Sequence, residues 1–431
     1  MTAPAVDGTP AATPDGPRTV STVSWKTPIA LGVVLALYAL LLLLAPREGD
    51  ARFSLSTPTD FFQLPVYVIP GTATAWLCAA IGAVLVVPSV LATRRARRTP
   101  LWVTGVFAAV LLFGFLAWAA AGSARDLSVV GLLGGAVALS VPLVYGSLSG
   151  VIGERSGTIN IAIESQLLAG AFTAAVAGSL TNSPWVGLVA AMLASALVSL
   201  VLAVFTITYR VNQIIVGVVL NVLVIGLTSF FYSLVLVPNT ETLNSTTRFE
   251  RIPIPFLERI PVIGPVLFDQ TIVVYLMPVI VFGVWYGLFR TRWGLRLRAV
   301  GEHPRAADTV GIEVLRTRYR ALLIAGLVGG MGGAFYTVVS INQFGREMTA
   351  GAGFIALAAM IFGKWNPVRA ALAGLLFGFA TNLQNVLSVV GSPVPSQFML
   401  MLPYVVTLFA VAGLVGRSRP PAALATPYTK E

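Results

Sequence analysis

Polar residues that could contact a solute interrupt an apolar run at residues 153–172, GERSGTINIAIESQLLAGAF. Asn160 and Glu164 are four positions apart, so they would share one face of a helix. Glu164 is the one acid that lies inside a predicted apolar segment. An ionisable group in a membrane marks, by default, a solute path or a paired functional site. A structural role is the open alternative, in which Glu164 reaches the cytoplasmic edge or pairs with Arg155.

A second polar interruption, SINQFGREMTAGAGF, covers residues 340–354 and precedes a short apolar run. That run, Phe354–Phe362, is too short to cross a hydrocarbon core of ~30 Å, which needs ~20 helical residues. It is therefore predicted to be a half-helix shielded by its neighbours, with its N-terminal amides facing into the membrane. The two interruptions occupy similar places in residues 128–237 and 320–416, which predicts an inverted repeat with a substrate path between its halves.

The residues predicted to face this path carry amide, carboxylate or aromatic side chains, except for one glycine. Amides suit a neutral hydroxylated or heterocyclic solute, and an aromatic ring could stack on a base. The alternative is that these side chains only hydrogen-bond neighbouring helices to one another, at ~0.6–2 kcal/mol per bond. The candidates are Asn160, Glu164, Gln166, Asn221, Asn342, Phe344, Gly353, Phe354 and Asn382.

Positive charge is concentrated at residues 290–320, RTRWGLRLRAVGEHPRAADTVGIEVLRTRYR, which hold eight arginines and three acids. Positive loops resist translocation, so this loop is predicted to be cytoplasmic. Pro304 suits the first position of a helix and Gly311 suits a left-handed cap at its end, which predicts a helix of about seven residues. From charge alone, the loop could instead serve only to fix the topology.

The composition is that of a membrane protein with many spans: 56% of residues are hydrophobic, 10% are charged, and mean hydropathy is +0.85. A soluble domain would carry about a quarter charged residues. The net charge of +11 comes from predicted cytoplasmic loops, so no nucleic-acid partner is expected. The single histidine, His303, and the single cysteine, Cys78, exclude a multi-histidine metal centre and an internal disulfide. No metal or cofactor is predicted.

The predicted fold is an all-α, polytopic transmembrane bundle of about 10–12 membrane segments, with inverted-repeat halves and broken or half helices. Both termini are predicted to be cytoplasmic, because the positive loops then alternate correctly. The predicted divisions are a disordered tail at 1–25, N-terminal spans at 26–127, a membrane core at 128–416 with an external loop at 238–269, and a second tail at 417–431. The predicted membrane segments are Thr27–Ala45, Tyr67–Leu91, Leu101–Gly122, Val129–Ile152, Ile159–Gly178, Val186–Thr208, Gln213–Val237, Thr271–Phe289, Ala321–Ile341, Phe354–Phe362, Ala370–Val390 and Phe398–Val415.

Residues 154–161, Glu-Arg-Ser-Gly-Thr-Ile-Asn-Ile, followed by Glu164, resemble a known family signature. It is the signature of permeases in the branched-chain amino-acid and simple-sugar ABC-importer superfamily and, within it, of the nucleoside importers. Ala162 and Ser165 depart from the pattern, which has glycine at both positions. The Phe-Gly-Lys-Trp-Asn-Pro order at 362–367 is similar to a second segment of these permeases. The resemblance extends over about residues 130–416.

The resemblance implies that residues 290–320 include a coupling helix, which docks into a groove of a separate ABC ATPase subunit. It also implies a second permease subunit of different sequence, an extracytoplasmic substrate-binding lipoprotein, and a nucleoside or related small solute. The chain would then lie in the lipid of a bacterial plasma membrane, as the permease core of an importer. The residues assigned to ATPase coupling are Gly294, Arg298, Gly301, Glu302, Pro304, Ala306, Ala307 and Gly311.

Two other classes of function compete with this interpretation. An ion-coupled secondary transporter of a small neutral solute usually needs several buried carboxylates or histidines, whereas the sequence predicts one, Glu164. A membrane-embedded enzyme would need a catalytic cluster, and one histidine outside the predicted spans argues against it. Gly363-Lys364 lacks the glycine spacing of a phosphate-binding loop. The chain is therefore predicted not to be an enzyme, and any ATP hydrolysis belongs to a separate subunit.

Overall fold

The computed structural model describes residues 25–97, 99–391, 401 and 419–429. Within these ranges, ten helices are long and apolar enough to cross a membrane, which confirms the predicted all-α, polytopic fold. The predicted tail at 1–25 and the predicted span Phe398–Val415 lie outside the described residues, apart from Trp25 and Met401. The chain divides into two compact units, Met1–Glu48 with Gly71–Trp118, and Gly49–Pro70 with Ala119–Glu431.

The first unit contains α1 (Lys26–Leu44), α2 (Gly71–Arg94) and most of α3 (Leu101–Ala120). A glycine in α3 lets these helices approach closely, because a Cβ at Gly114 would lie 2.6 Å from the Cβ of Cys78 and from the hydroxyl of Tyr38. Small residues at crossings are what allow close packing between apolar membrane helices. Cys78 is buried at this crossing.

The second unit is organised around its most deeply packed helix, α12. The helices of this unit are α4 (Val129–Arg155), α5 (Ile163–Thr181), α6 (Pro184–Ala203), α7 (Gln213–Phe231), α8 (Thr240–Leu243), α9 (Ile272–Arg290), α10 (Arg292–Glu302), α11 (Pro304–Thr309), α12 (Val314–Phe335), α13 (Ala352–Phe362) and α14 (Pro367–Val390). π-Helical turns continue α6, α7 and α12 over Val204–Thr208, Tyr232–Leu236 and Tyr336–Ile341.

Glycines of α12 set the distance between it and its neighbours α5 and α6. A Cβ at Gly330 would lie 2.5 Å from the carbonyl oxygen of Ala191, and a Cβ at Gly333 would lie 2.3 Å from that of Leu167. Backbone therefore contacts backbone at both crossings, as in other small-residue interfaces of membrane helices. α12 also packs against α4.

Two small sheets were not expected from the sequence. The strands β1 (Asp50–Ser54) and β2 (Tyr67–Pro70) pair antiparallel, and β3 (Leu127–Ser128) pairs parallel to β1. The strands β4 (Arg251–Pro253) and β5 (Asp269–Thr271) pair antiparallel and close the base of the long loop at 238–269. The predicted helical start at Tyr67 is wrong, because residues 67–70 form a strand and α2 begins at Gly71.

The predicted half-helix is present as α13, which has 11 residues. At 1.5 Å per residue it is about 16 Å long, roughly half of the ~30 Å hydrocarbon core. It packs against α4, α5 and α14. The inverted repeat of residues 128–237 and 320–416 stays a prediction, since residues 392–400 and 402–416 lie outside the described part of the chain.

Candidate functional site

The two polar interruptions of the sequence meet at one carboxylate. Glu164, in the first turn of α5, accepts hydrogen bonds from the hydroxyl of Thr349 (2.6 Å) and from the backbone nitrogens of Gly351 (3.0 Å) and Gly353 (2.6 Å). The side chain is 4% exposed. The Glu164 carboxylate thus accepts from N–H groups at the start of α13. It also lies at the N-terminal, positive end of α5, and both arrangements stabilise a negative charge.

Glycine is required beside this carboxylate. A Cβ at Gly353 would lie 2.4 Å from the backbone nitrogen of Glu164 and 2.8 Å from its Oε2. Gly351, which immediately precedes α13, has a φ of +81°, in the left-handed region that glycine adopts without strain. The close approach to Glu164 therefore requires glycine at position 353, and the left-handed backbone favours glycine at position 351.

The other end of the half-helix is held by the end of α4. The indole nitrogen of Trp365 donates a 2.6 Å hydrogen bond to Glu154, and Nε of Arg155 donates a 3.0 Å bond to the carbonyl of Trp365. Glu154 and Glu164 are thus bound to opposite ends of α13. We call Glu154, Arg155, Glu164, Gly353 and Trp365 the half-helix clamp. The sequence alternative that pairs Glu164 with Arg155 is wrong, because Arg155 is directed to the far end of α13.

Four buried polar side chains form an amide cluster next to the clamp: Ser149, Asn160, Gln166 and Ser199. The amide of Gln166 accepts from Ser149 (2.8 Å) and donates to Asn160 (3.1 Å) and Ser199 (2.8 Å). Asn160 donates in turn to Ser149 at 3.1 Å. These bonds join α4, α5 and α6 to the segment that precedes α5, so the cluster fixes the position of the clamp.

The expectation that Asn160 and Glu164 share one helical face is wrong. The helix α5 begins at Ile163, so Asn160 belongs to the preceding irregular segment. Its side chain faces Ser149 and Gln166, whereas that of Glu164 faces the start of α13. The two residues consequently act on different neighbours, although both are buried.

Two other candidates hydrogen-bond to backbone groups of neighbouring helices or of the segment before α5. Asn221 of α7 accepts from the backbone nitrogen of Ser165 and donates to the carbonyl of Ile161, both at 3.0 Å. Asn382 of α14 donates to the carbonyl of Leu132 in α4 at 2.7 Å. Both side chains therefore have the helix-joining role that the sequence left open beside solute contact.

The aromatic candidates differ in exposure. Phe344 is 2% exposed and packs against Phe172, with a ring-centroid distance of 5.2 Å. Its backbone is held on both sides by Asn244, which accepts at 2.7 Å and donates at 3.0 Å. Phe354, in the first turn of α13, is 50% exposed, and Asn342 is partly exposed. Of the predicted set, Phe354 and Asn342 are thus the two that are not buried.

The basic loop contains the predicted short helix and a second helix before it. The helix α11 has proline at its first position, and Gly311 follows it with a φ of +81°. The nitrogen of Ile312 donates to the carbonyl of Ala307 at 3.0 Å, which completes the cap. The additional helix, α10, is capped by the hydroxyl of Thr291, which accepts from the nitrogen of Gly294 at 3.2 Å.

The predicted coupling residues divide by exposure. A Cβ at Gly294 would lie 2.2 Å from the carbonyl of Gly287, and a Cβ at Gly301 would lie 2.1 Å from that of Arg155. These two glycines therefore allow α10 to pack directly against the backbone of α9 and of the end of α4. Val310, which the sequence did not single out, is 74% exposed at the end of α11. Glu302, Ala306 and Gly311 are exposed, Arg298 and Pro304 are half-buried, and Gly294, Gly301 and Ala307 are buried.

The loop contacts the clamp through α10. Gly301 packs on Arg155, and the guanidinium groups of Arg155 and Arg298 lie 5.7 Å and 5.0 Å from the ring centroid of Phe289. Both distances are within the range of cation–π attraction. The basic loop and the half-helix therefore share Arg155 as a common neighbour.

Several residues of the site were missed in the sequence. Glu154 and Arg155 belong to the motif that was recognised, so the motif itself could have indicated them. Ser149 and Ser199 lie inside apolar helices, where a hydroxyl gives no local signal of its partner. The contact between Thr349 and Glu164 joins positions 185 apart in the chain.

Comparison with known proteins relates most of the chain to transport proteins. The family described as "Branched-chain amino acid transport system / permease component" matches residues 132–411. The guanosine ABC transporter permease protein NupQ of Bacillus subtilis is 40% identical over 68% of this chain and 94% of its own length. The nucleoside ABC transporter permease protein NupC of Lactococcus lactis has the same identity and coverage.

A more distant relative is the putative glucose ABC transporter permease protein TsgC13 of Haloferax volcanii. It is 34% identical over 59% of this chain and 77% of its own length. No solved structure matches the chain.

Proposed function

Because the chain belongs to the family of branched-chain amino acid transport system permease components, we propose that it is the permease of an ABC importer for a nucleoside or a related small solute. The observation that carries the proposal is the half-helix α13, held at one end by Glu164 and at the other by Glu154. A helix that ends inside the membrane, with its start lined by polar groups, is typical of a substrate path. The names of NupQ and NupC support a nucleoside as the solute.

The arrangement of the clamp supports a mechanism in which the half-helix moves as a rigid body. Its two ends are bound by residues of one continuous segment, 154–164, which runs from the end of α4 to the start of α5. A displacement of Arg155 would therefore shift both ends of α13 together. Phe354 would move with it, which would open or close the path for a solute.

The energy for this displacement would come from a separate ATPase subunit that grips α11. The exposed residues Arg305, Ala306, Thr309 and Val310 form the surface that it would meet. The contact of Gly301 with Arg155 would pass the displacement to the clamp. ATP hydrolysis itself belongs to the partner, so this chain would not be an enzyme.

The complete importer would contain further subunits. A second permease chain of different sequence would form the other wall of the path, and an extracytoplasmic lipoprotein would deliver the solute to it. The chain would lie in the plasma membrane of a bacterium with both termini in the cytoplasm, which places the basic loop at 290–320 on the side of the ATPase.

Reconstitution tests the proposal. The chain is placed in proteoliposomes with its ATPase, second permease and binding protein, and uptake of radiolabelled guanosine is measured with and without ATP. We expect uptake to require ATP. We also expect unlabelled nucleosides to inhibit uptake more strongly than ribose or glucose does. An ATPase subunit unable to hydrolyse ATP is the matched control. Accumulation under an imposed proton or sodium gradient, in the absence of the ATPase, would refute the proposal in favour of secondary transport.

A further inference from the structure

Residues 419–429 lie across the basic loop, and we call this segment the strap. The backbone nitrogen of Ala423 donates a 2.9 Å hydrogen bond to the carbonyl of Gly301, at the end of α10. The nitrogen of Ala425 donates a 3.2 Å bond to the carbonyl of Gly157, directly after α4. The strap therefore binds the basic loop and the segment that carries the half-helix clamp at the same time.

Side chains strengthen this attachment. The carboxylate of Glu302 accepts a 3.1 Å hydrogen bond from the nitrogen of Ala422. The guanidinium of Arg318, in the first turns of α12, donates a 3.0 Å bond to the carbonyl of Thr426. Four hydrogen bonds thus anchor the strap to α10, α12 and the end of α4, and a charged partner contributes to two of them.

The ring of Tyr428 lies where three helices meet. It is 8% exposed and belongs to a small buried cluster with Val300, Ala307 and Val314, one residue each from α10, α11 and α12. Ala307 is on the inner side of α11, whereas Ala306, Thr309 and Val310 are exposed. Tyr428 therefore supports α11 from behind and leaves its outer surface free for a partner.

The backbones at this junction are in tight contact. Gly157 has a φ of +92°, and a Cβ there would lie 3.4 Å from the Cα of Gly301. A Cβ at Gly301 would in turn lie 2.1 Å from the carbonyl of Arg155. α10 and the turn after α4 are therefore in direct contact, and the strap, hydrogen-bonded to both, holds them in that contact.

We propose that Tyr428 and the strap are positioning elements for energy coupling: they fix α11 to the half-helix clamp, so that a displacement of α11 moves α13. This inference rests on the proposed function. The family match ends at residue 411, so the strap lies beyond the part of the chain that the match covers. Without the strap, α11 could be gripped and displaced by an ATPase while the clamp stayed in place.

The test compares Tyr428→Ala with Thr429→Ala, an exposed neighbour in the strap. Both variants are reconstituted with the importer subunits, and solute transported per ATP hydrolysed is measured beside ATPase binding in a pull-down. We expect Tyr428→Ala to retain the ATPase but to transport roughly fivefold less solute per ATP, a change within the range reported for coupling mutations. Thr429→Ala should behave as the wild type. An unchanged transport ratio in Tyr428→Ala would overturn the inference.

A second measurement separates this inference from the proposed function. Amide hydrogen exchange of the isolated chain reports on α10 and α11 without any ATPase. We expect faster exchange across residues 292–312 in Tyr428→Ala than in Thr429→Ala, because the helices lose their support. Equal exchange in the two variants would refute the positioning role, whatever drives transport. A wild-type chain that needs no ATPase for uptake would refute the proposed function instead.

Discussion

The carboxylate of Glu164 lies 2.6 Å from the backbone nitrogen of Gly353, and this hydrogen bond joins the first turn of α5 to the first turn of α13. Both helices begin at buried residues, Ile163 and Ala352, and carry free N–H groups and a positive dipole end there. A single buried acid serves both helices. Its hydrogen bonds at the start of α13 and its place at the positive end of α5 offset the cost of burying an ionisable group at this site.

Replacement of Glu164 tests this dual role. Glu164→Ala leaves a hydroxyl and two backbone N–H groups without their acceptor, so we expect the free energy of unfolding to fall by about 3 kcal/mol. We also expect solute uptake to be lost while the ATPase still binds in a pull-down. Glu241→Ala, an exposed acid in α8, is the matched control and should change neither quantity. Normal uptake by Glu164→Ala would contradict the role of the clamp.

Gly353→Ala tests the close approach of the half-helix to α5. The added methyl group would lie 2.4 Å from the nitrogen of Glu164, so α13 must move away and lose its hydrogen bond. We expect strong loss of uptake and a lower melting temperature in detergent. Gly345→Ala is the control, because no atom lies within 4 Å of the Cβ position there. The prediction fails if the two variants are indistinguishable.

Trp365→Phe tests the other end of the clamp. The substitution keeps the apolar ring but removes the indole N–H that donates to Glu154. A buried polar group left without its partner costs ~1–3 kcal/mol, so we expect destabilisation of that size together with reduced uptake. Trp102→Phe alters an exposed tryptophan and should be neutral. Equal stability of both variants, measured by thermal unfolding, would argue against a structural hydrogen bond at Glu154.

Gln166→Leu tests the amide cluster. Leucine has a similar volume, but it leaves Ser149 without an acceptor and removes the donor to Asn160 and Ser199. Each buried polar group left unpaired costs ~1–3 kcal/mol, so the variant should unfold at a clearly lower temperature. Gln343→Leu, on an exposed residue, serves for comparison. If Gln166 contacted solute without any structural role, uptake would fall and the melting temperature would stay constant.

Ala306→Trp tests the outer surface of α11. Ala306 is exposed, so a large side chain should leave the fold intact but block entry of α11 into a groove of the ATPase. We expect loss of ATPase binding in a pull-down, with thermal unfolding unchanged. Thr247→Trp introduces the same bulk at an exposed residue of the loop at 238–269, away from α11, and should bind normally. Full binding by Ala306→Trp would place the ATPase contact elsewhere.

Local signals were enough to predict some elements from the sequence. Pro304 and Gly311 are start and stop residues whose effect is confined to one helix, and α11 lies between them as predicted. The short apolar run Phe354–Phe362 likewise predicted a half-helix, because a helix of that length cannot cross a membrane.

Long-range contacts could not be predicted in the same way. A polar residue in an apolar segment indicates that a partner exists, but it does not say which partner. The donor to Glu154 is Trp365, 211 positions away. Hydropathy also failed at Tyr67–Pro70, since an apolar run of four residues fits the start of a helix as well as a strand, and only pairing with β1 decides between them.

The short length of α13 has a consequence for ions. At about 16 Å, it seals the membrane over roughly half the depth that a full helix would cover. In the proposed permease, the packing around Glu164 and Trp365 would therefore complete the separation of water on the two sides at this point. A variant that loosens either contact should become leaky, and cells that carry it should lose membrane potential even when no solute is present.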